Sequence, residues 1–307
     1  MTTIVFPGQG SQFVGMTKDF YENFSLTKEI FEKVSDITSI DIKKIIFENP
    51  DDLLNQTQFT QLSIFCSSIS IFKVLKNEID LNLLNISTML GHSLGEYTAL
   101  TAAGYISIDD CAILLKERGE LMQNAFKPNM SGMAALIGLN CNLVESIIKK
   151  NKLNVEIAND NSPIQVVISG KIDDLTISKE IFLENGVKKF IFLNVSAAFH
   201  SNLMTKAQNS LNDFIDKISF NQSQVSIISN YSGSISTYKD TIIYNLSHQM
   251  SNRVRWVESI NSLEILNDNR IIEIGPGKVL TGLIKRISNK FIIENIETIS
   301  DIKKTYE

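Results

Sequence analysis

Ile86-Ser87-Thr88-Met89-Leu90-Gly91-His92-Ser93-Leu94-Gly95-Glu96 is the stretch from which the fold and the chemistry of this chain are read. A short apolar run enters a glycine-bounded pentapeptide, and Glu96 to Ala103 is rich in helix formers, so strand, sharp turn and helix follow one another. Gly91-His92-Ser93-Leu94-Gly95 fits the G-x-S-x-G nucleophile elbow, whose glycines permit a strained turn that lifts the serine hydroxyl above a sheet. The helix behind Ser93 aims its N-terminal amides and positive dipole end at an oxyanion. A glycine-bounded turn with an incidental serine is the plain alternative.

Upstream, Thr3 to Phe6 reads as a buried strand ending at Pro7-Gly8, with Gly8-Gln9-Gly10-Ser11-Gln12 on the loop beyond it. Gln9, between two glycines at a strand end, can lend a backbone amide to an oxyanion, or simply belong to a tight connector. The segment lacks the third glycine of a dinucleotide fingerprint and the Gly-Lys-Ser/Thr end of a P-loop. Helical spacing runs from about 16 to 80, broken at Asn49-Pro50-Asp51. Downstream, Gly104 stops the helix after the elbow, and another begins near Ile108-Asp109-Asp110 and continues to about Ala125.

Between Met133 and Val195 the pattern predicts a strand (133–139), a helix (143–150), two strands (153–158 and 164–169), a helix (175–184) and a strand (187–195). That β-α-β-β-α-β order is ferredoxin-like. The expected division is an α/β catalytic core of residues 1–127 and 197–307, with a parallel sheet, and an inserted α+β subdomain of residues 128–196. A further strand at Arg270 to Ile274 meets Gly275-Pro276-Gly277 before a helix from Lys278 to about Lys290.

A serine nucleophile needs a base, and the chain has three histidines. His92 adjoins Ser93 on the turn, so its side chain should diverge; His248 has no distinctive neighbours. His200 lies on the loop where the insertion re-enters the core, and loops carry catalytic groups. No acid with a characteristic motif stands between Ser93 and His200. The expectation is therefore a Ser-His dyad whose imidazole is oriented by something weaker than a carboxylate, such as a backbone carbonyl. Arg118, on the second helix after the elbow, is either a solvated partner of Glu117 or Glu120 or a bidentate holder of a substrate carboxylate.

The 307 residues are 43% hydrophobic and 21% charged, in the globular range and enough for a large core. A net charge of −5 argues against a general nucleic-acid binder. No apolar run approaches a membrane span and the N-terminus carries no secretion signal, so a cytoplasmic protein is expected. Cys66, Cys111 and Cys141 lack the spacing of a disulfide framework or zinc site and read as core thiols.

Together these segments resemble the malonyl-CoA:acyl-carrier-protein transacylase family, including the free-standing acyltransferases of polyketide synthases. The motifs are Phe6-Pro7-Gly8-Gln9-Gly10-Ser11-Gln12, Thr60-Gln61, the elbow with Glu96, Arg118-Gly119, Asn159 to Gly170, Phe199-His200-Ser201 and Glu273-x-Gly275-Pro276-Gly277. Leu62 and Ile164 depart from a frequent proline and glycine, and neither removes a catalytic group. The resemblance implies a hydrolase-like core with a ferredoxin-like insertion, Ser93 as the acylated nucleophile and His200 as its base. It further implies oxyanion-hole amides from Gln9 and Leu94, Arg118 with Gln61 on the malonyl carboxylate, and the Arg255 carbonyl orienting His200. Phe199 resembles the bulky residue of malonyl-selective members. The implied partners are malonyl-CoA and a phosphopantetheinylated acyl-carrier protein, with no cofactor or metal and the chain a monomer. An acyl hydrolase or esterase using the same dyad with water is the main rival, disfavoured by Arg118; a carrier-binding scaffold without activity is disfavoured by the intact Ser93, His200 and Gln9.

Overall fold

Every residue of β1 (Thr2–Phe6) is buried, as expected of a strand covered on both faces by helices. The computed structural model of the protein describes residues 1–78, 84–266 and 269–306. The end of the helical run expected to residue 80, and residue 307, lie outside the described residues. After β1 come α1 (Lys18–Asn23), α2 (Ser25–Thr38), α3 (Ile42–Glu48), a 3-10 turn at Pro50–Asn55 and α4 (Thr57–Glu78). Then follow β2 (Ile86–Gly91), α5 (Leu94–Ala102) and α6 (Ile108–Gln123). The next six elements are β3 (Ser131–Ile137), α7 (Cys141–Asn151), β4 (Val155–Ser162), β5 (Gln165–Lys171), α8 (Ile172–Glu184) and β6 (Lys189–Phe192). The chain ends with α9 (Thr205–Ile215), β7 (Ser226–Ile228), β8 (Ile235–Ser236), α10 (Lys239–Leu246), α11 (Trp256–Ile265), β9 (Arg270–Ile274), α12 (Val279–Ile287), β10 (Ile292–Ile296) and α13 (Ile299–Tyr306).

Among the described residues the main sheet runs β10-β9-β1-β2-β7-β8, parallel except for the β7–β8 pair. Successive side chains on a strand point to opposite faces, and the sheet uses both. Ile4, Phe6, Met89, Ile227, Ile272 and Ile274 join one core with the N-terminal helices. Val5, Leu90, Ile228 and Ile271 join a second core with Trp256, Ile260 and Leu263 of α11 and Leu280, Leu283 and Ile284 of α12. Each fully buried Ile, Leu or Phe adds about 1.5–3 kcal/mol of transfer free energy, so register here is strongly specified. Helix α4 packs against α2, α5 and α6 and is buried along most of its length, with little polar-apolar segregation. At the end of β9, the Glu273 carboxylate accepts from the Leu280 and Thr281 amides and so caps α12 across the Gly-Pro-Gly turn.

The second sheet is antiparallel throughout, in the order β4-β5-β3-β6, which makes it ferredoxin-like. One face packs on α7 and α8 through Ala134, Leu136, Val166 and Ile168. Met133, Ala135, Ala158 and Val167, from the other face, belong to the main core. Strand β4 runs four residues further than the expected 158, because its outer edge bonds to the core: the Val254 amide donates to Ala158 O (2.8 Å) and the Asp160 amide to Val254 O (3.0 Å). Conversely β6 is shorter than the expected 187–195. Beyond Phe192 the chain leaves the sheet, and Leu193 and Val195 turn to line a cavity.

Candidate active site

The cavity lies where β2 gives way to α5. Ser93 sits there at φ 53°, ψ −110°, a conformation that costs about 1–3 kcal/mol for a non-glycine residue and marks a functional turn. The glycines make the turn possible by close approach: a Cβ on Gly95 would collide with the Phe6 carbonyl, and one on Gly91 with the Gly95 backbone. The elbow is thus pressed against the end of β1.

Gln9, Gln61, Ser93, Leu94, Arg118, Phe199 and His200 all line this one cavity of about 100 Å³. Met133, Asn159, Leu193 and Val195 line it from the inserted subdomain. A larger cleft of about 570 Å³ shares Met133, Leu193 and Val195 and extends past Thr57, Gln123 and Phe126.

Ser93 Oγ is 2.8 Å from His200 Nε2. The opposite ring nitrogen, Nδ1, faces two carbonyl oxygens, of Gln249 at 3.1 Å and Asn252 at 3.2 Å. Carbonyls only accept, so Nδ1 carries the hydrogen and Nε2 is left to accept from the Ser93 hydroxyl. Burial, and after it the Arg118 charge, depresses the His200 pKa to about 3. The imidazole is therefore neutral across the physiological range, with Nε2 free to accept a proton.

The expected role of Arg255 is corrected here. Its carbonyl is the N-cap of α11 and accepts from the Ser259 amide and hydroxyl, so it faces its own helix and not His200. The orienting carbonyls come three and six residues earlier, on the tight turns after α10. The Arg255 side chain bonds Tyr231 O and Glu258.

Arg118 is fully buried. Its Nη1 donates to Gln61 Oε1 at 2.5 Å, and its Nη2 to Ser93 Oγ and Gln249 Oε1, each at 3.0 Å. The Tyr97 ring lies 5.2 Å from the guanidinium carbon, while Nε has no partner. Burial pushes the Arg118 pKa down, opposed by Tyr97 and Glu96. Of the two readings left open for this residue, solvated helix arginine is removed: α6 packs against α4 and turns Arg118 inward. A buried guanidinium with an unused donor beside a nucleophile has the chemistry to accept an anion.

Leu94 is the first residue of α5, where amides have no intrahelical acceptor, and the Gln9 side chain bonds Thr57 Oγ1 at 3.3 Å. Phe199 is 4% exposed, with its carbonyl taken by Ser169 Oγ. His92 also lines the cavity, with its Nε2 2.8 Å from Asn161 Oδ1, and so joins the elbow to the inserted sheet. His248 lies outside the cavity, stacked on Tyr231 and Tyr244.

Three residues support the cavity from beneath: Glu96, which closes the elbow motif, and Gln249 and Asn230, which carry no sequence signal of their own. Gln249 donates from Nε2 to Ser93 O and Glu96 Oε2, each at 2.8 Å, while its own carbonyl holds His200. Glu96 is fully buried, and that burial raises its pKa. Asn230 bonds the elbow itself. Among the described residues no group of three or more His, Cys, Asp or Glu side chains is arranged to hold a metal ion, and no helix is long and apolar enough to cross a membrane.

A profile of the acyl transferase domain family matches residues 3–304. The chain is 36% identical over 289 residues to the malonyl CoA-acyl carrier protein transacylase of Bacillus subtilis, covering 93% of this chain and 90% of that one. It is 35% identical to the enzyme of the same name from Staphylococcus aureus, over 98% of this chain and 97% of that one. Among solved structures, an acyl-carrier-protein S-malonyltransferase from Bartonella henselae superposes with a TM-score of 0.94 at 36% identity, over 99% of this chain and 98% of that one. A malonyl-transacylase bound to a type II polyketide synthase acyl-carrier protein gives 0.92 at 32% identity, with the same coverage.

Proposed function

This chain belongs to the acyl transferase domain family, as a malonyl-CoA–acyl carrier protein transacylase, and we propose that it works by a Ser-His dyad that carries malonyl as an ester on Ser93. The observation that bears most weight is the fully buried Arg118 fork within 3.0 Å of Ser93 Oγ. A substrate carboxylate would take over the donors now spent on Ser93 and engage the free Nε, with Gln61 bracing the fork.

In the first half-reaction His200 Nε2 takes the Ser93 proton as Oγ attacks the thioester carbon. The carbon–sulfur bond breaks, and the departing thiolate receives that proton from the imidazolium. Amides of Gln9 and Leu94 hold the oxyanion, and the Gln249 and Asn252 carbonyls hold the imidazolium through Nδ1. In the second half the phosphopantetheine thiol of an acyl-carrier protein gives its proton to His200 and attacks the ester carbon; the acyl carbon–Oγ bond breaks and Ser93 Oγ takes that proton from the imidazolium. The acceptor so assigned serves polyketide or fatty-acid assembly by the same chemistry. Phe199 narrows the space at the acyl carbon next to the carboxylate and favours malonyl over branched units.

Intact-protein mass spectrometry after mixing with malonyl-CoA, followed by carrier protein bearing its arm, tests the scheme. The expected result is a malonyl adduct, absent from Ser93→Ala, that moves to the carrier. Rapid loss of the adduct to water with no carrier labelling would establish a hydrolase instead.

A further inference from the structure

The elbow holds Ser93 in a strained turn, and such strain persists only where neighbouring groups over-determine it. The group that does so comes from a distant part of the chain. Strand β7 runs parallel beside β2, with Ile227 opposite Met89, so the segment leaving β7 arrives next to the elbow. There the Asn230 side chain accepts from the Ser93 amide (Oδ1, 2.7 Å) and donates to Gly91 O (Nδ2, 2.7 Å). Its own main chain is pinned on both sides: the amide donates to Glu96 Oε2 (3.1 Å) and the carbonyl accepts from the Arg255 amide (3.0 Å). Asn230 is fully buried.

We propose that Asn230 is a positioning residue for the nucleophile, its amide clamping the two ends of the Gly91-Ser93 turn so that Oγ points at His200 and the Leu94 amide is left for the oxyanion. The assignment rests on the dyad reading above and extends it. A carboxamide is the group that suits the place, because one plane must offer an acceptor to an N–H and a donor to a carbonyl. An aspartate keeps the acceptor and sets a negative charge against Gly91 O. With the Ser93 amide committed to Asn230, the elbow amide left for the oxyanion is that of Leu94, the residue after the nucleophile.

The test uses the full-length protein and a fluorophosphonate, which reports hydroxyl reactivity without any acyl preference: the Oγ–P bond forms as fluoride leaves, and His200 takes the proton. Wild type should label at Ser93 and Ser93→Ala should not; an unlabelled wild type overturns the dyad reading and this inference with it. Asn230→Ala, with folding checked by thermal melting, should label about 100-fold more slowly, the scale of a reacting group misplaced by about an ångström. Its half-saturating malonyl-CoA concentration for ester formation should stay within about threefold of wild type, as for an interaction made in the transition state. Labelling of folded Asn230→Ala at the wild-type rate overturns the proposal.

Should that variant fail to fold, Asn230→Asp decides alone. The titratable and charged groups around the introduced carboxyl are Glu96 beneath it and Arg118 and the neutral His200 across Ser93. On protonation it regains a donor for Gly91 O, so its labelling rate relative to wild type should rise as pH falls from 8 to 5.5. A ratio independent of pH overturns the clamp.

Discussion

Across one cavity of about 100 Å³, the side built on the main sheet presents Ser93, Arg118 and Gln61, whereas the side built on the inserted sheet presents Met133, Leu193 and Val195. The first wall is polar and strained, and a second buried polar layer of Gln249, Glu96 and Asn230 supports it. The second wall is mostly apolar, with Asn159 of β4 its one polar side chain in the cavity lining, and it ends in a strand that leaves its sheet to reach the cavity. Strain and buried charge survive where several elements converge to satisfy them, as β2, α5, α6 and the segments after β7 and α10 do here. An apolar wall needs only shape, and by excluding water it strengthens every charge interaction opposite it. Damage to the first wall should therefore abolish the chemistry, and changes to the second should retune it.

The sharpest break is Ser93→Ala, which should remove ester formation entirely, read as loss of the malonyl adduct by mass spectrometry. Next, Arg118→Ala should reduce malonyl transfer by about 100–1000-fold, the loss of a charged, bidentate contact in a dry site, while acetyl transfer falls less than about tenfold. Equal losses for the two acyl groups would remove the carboxylate role. The His200 environment makes a pH prediction of intermediate size. An imidazole of ordinary pKa near 6.5 would leave about a tenth of the enzyme active at pH 5.5. With the base depressed to about 3, the neutral, active form dominates at all higher pH. The kcat/KM for ester formation should hence be flat from pH 8 to 5.5, and a halving near 6.5 would show the base to be solvated. Phe199→Ala should raise the methylmalonyl-to-malonyl ratio about tenfold, the worth of a methylene in a pocket, measured in competition. Smallest of all, Leu193→Ala on the inserted wall should change malonyl and acetyl transfer alike and by less than about tenfold, since it alters only shape.

Legibility in the sequence followed locality. Ser93 was readable because its glycines, strand and helix are consecutive, and the ferredoxin-like order because each strand and helix carries its own period. His200 was found by elimination among three histidines, and Arg118 by family resemblance. Its inward direction depends on α6 packing against α4, a contact no local pattern encodes. The Arg255 assignment failed for a related reason. Any residue between 249 and 255 offers a carbonyl, so only the path of the chain after α10 selects Gln249 and Asn252. Gln249, next to an uninformative His248, and Asn230, just past a three-residue strand, had no signature at all.

What this sequence determined by itself was which groups exist to react: a serine on a glycine-bounded turn, one histidine on a re-entry loop, one arginine on a helix, and the two sheet types that carry them. Tertiary structure alone decided how those groups are held, through the burial that keeps His200 neutral, the carbonyls that orient it and the amide that clamps the elbow. The division is physical. Backbone conformation and side-chain chemistry are properties of neighbours in the chain, whereas desolvation and hydrogen-bond partnership are properties of neighbours in space.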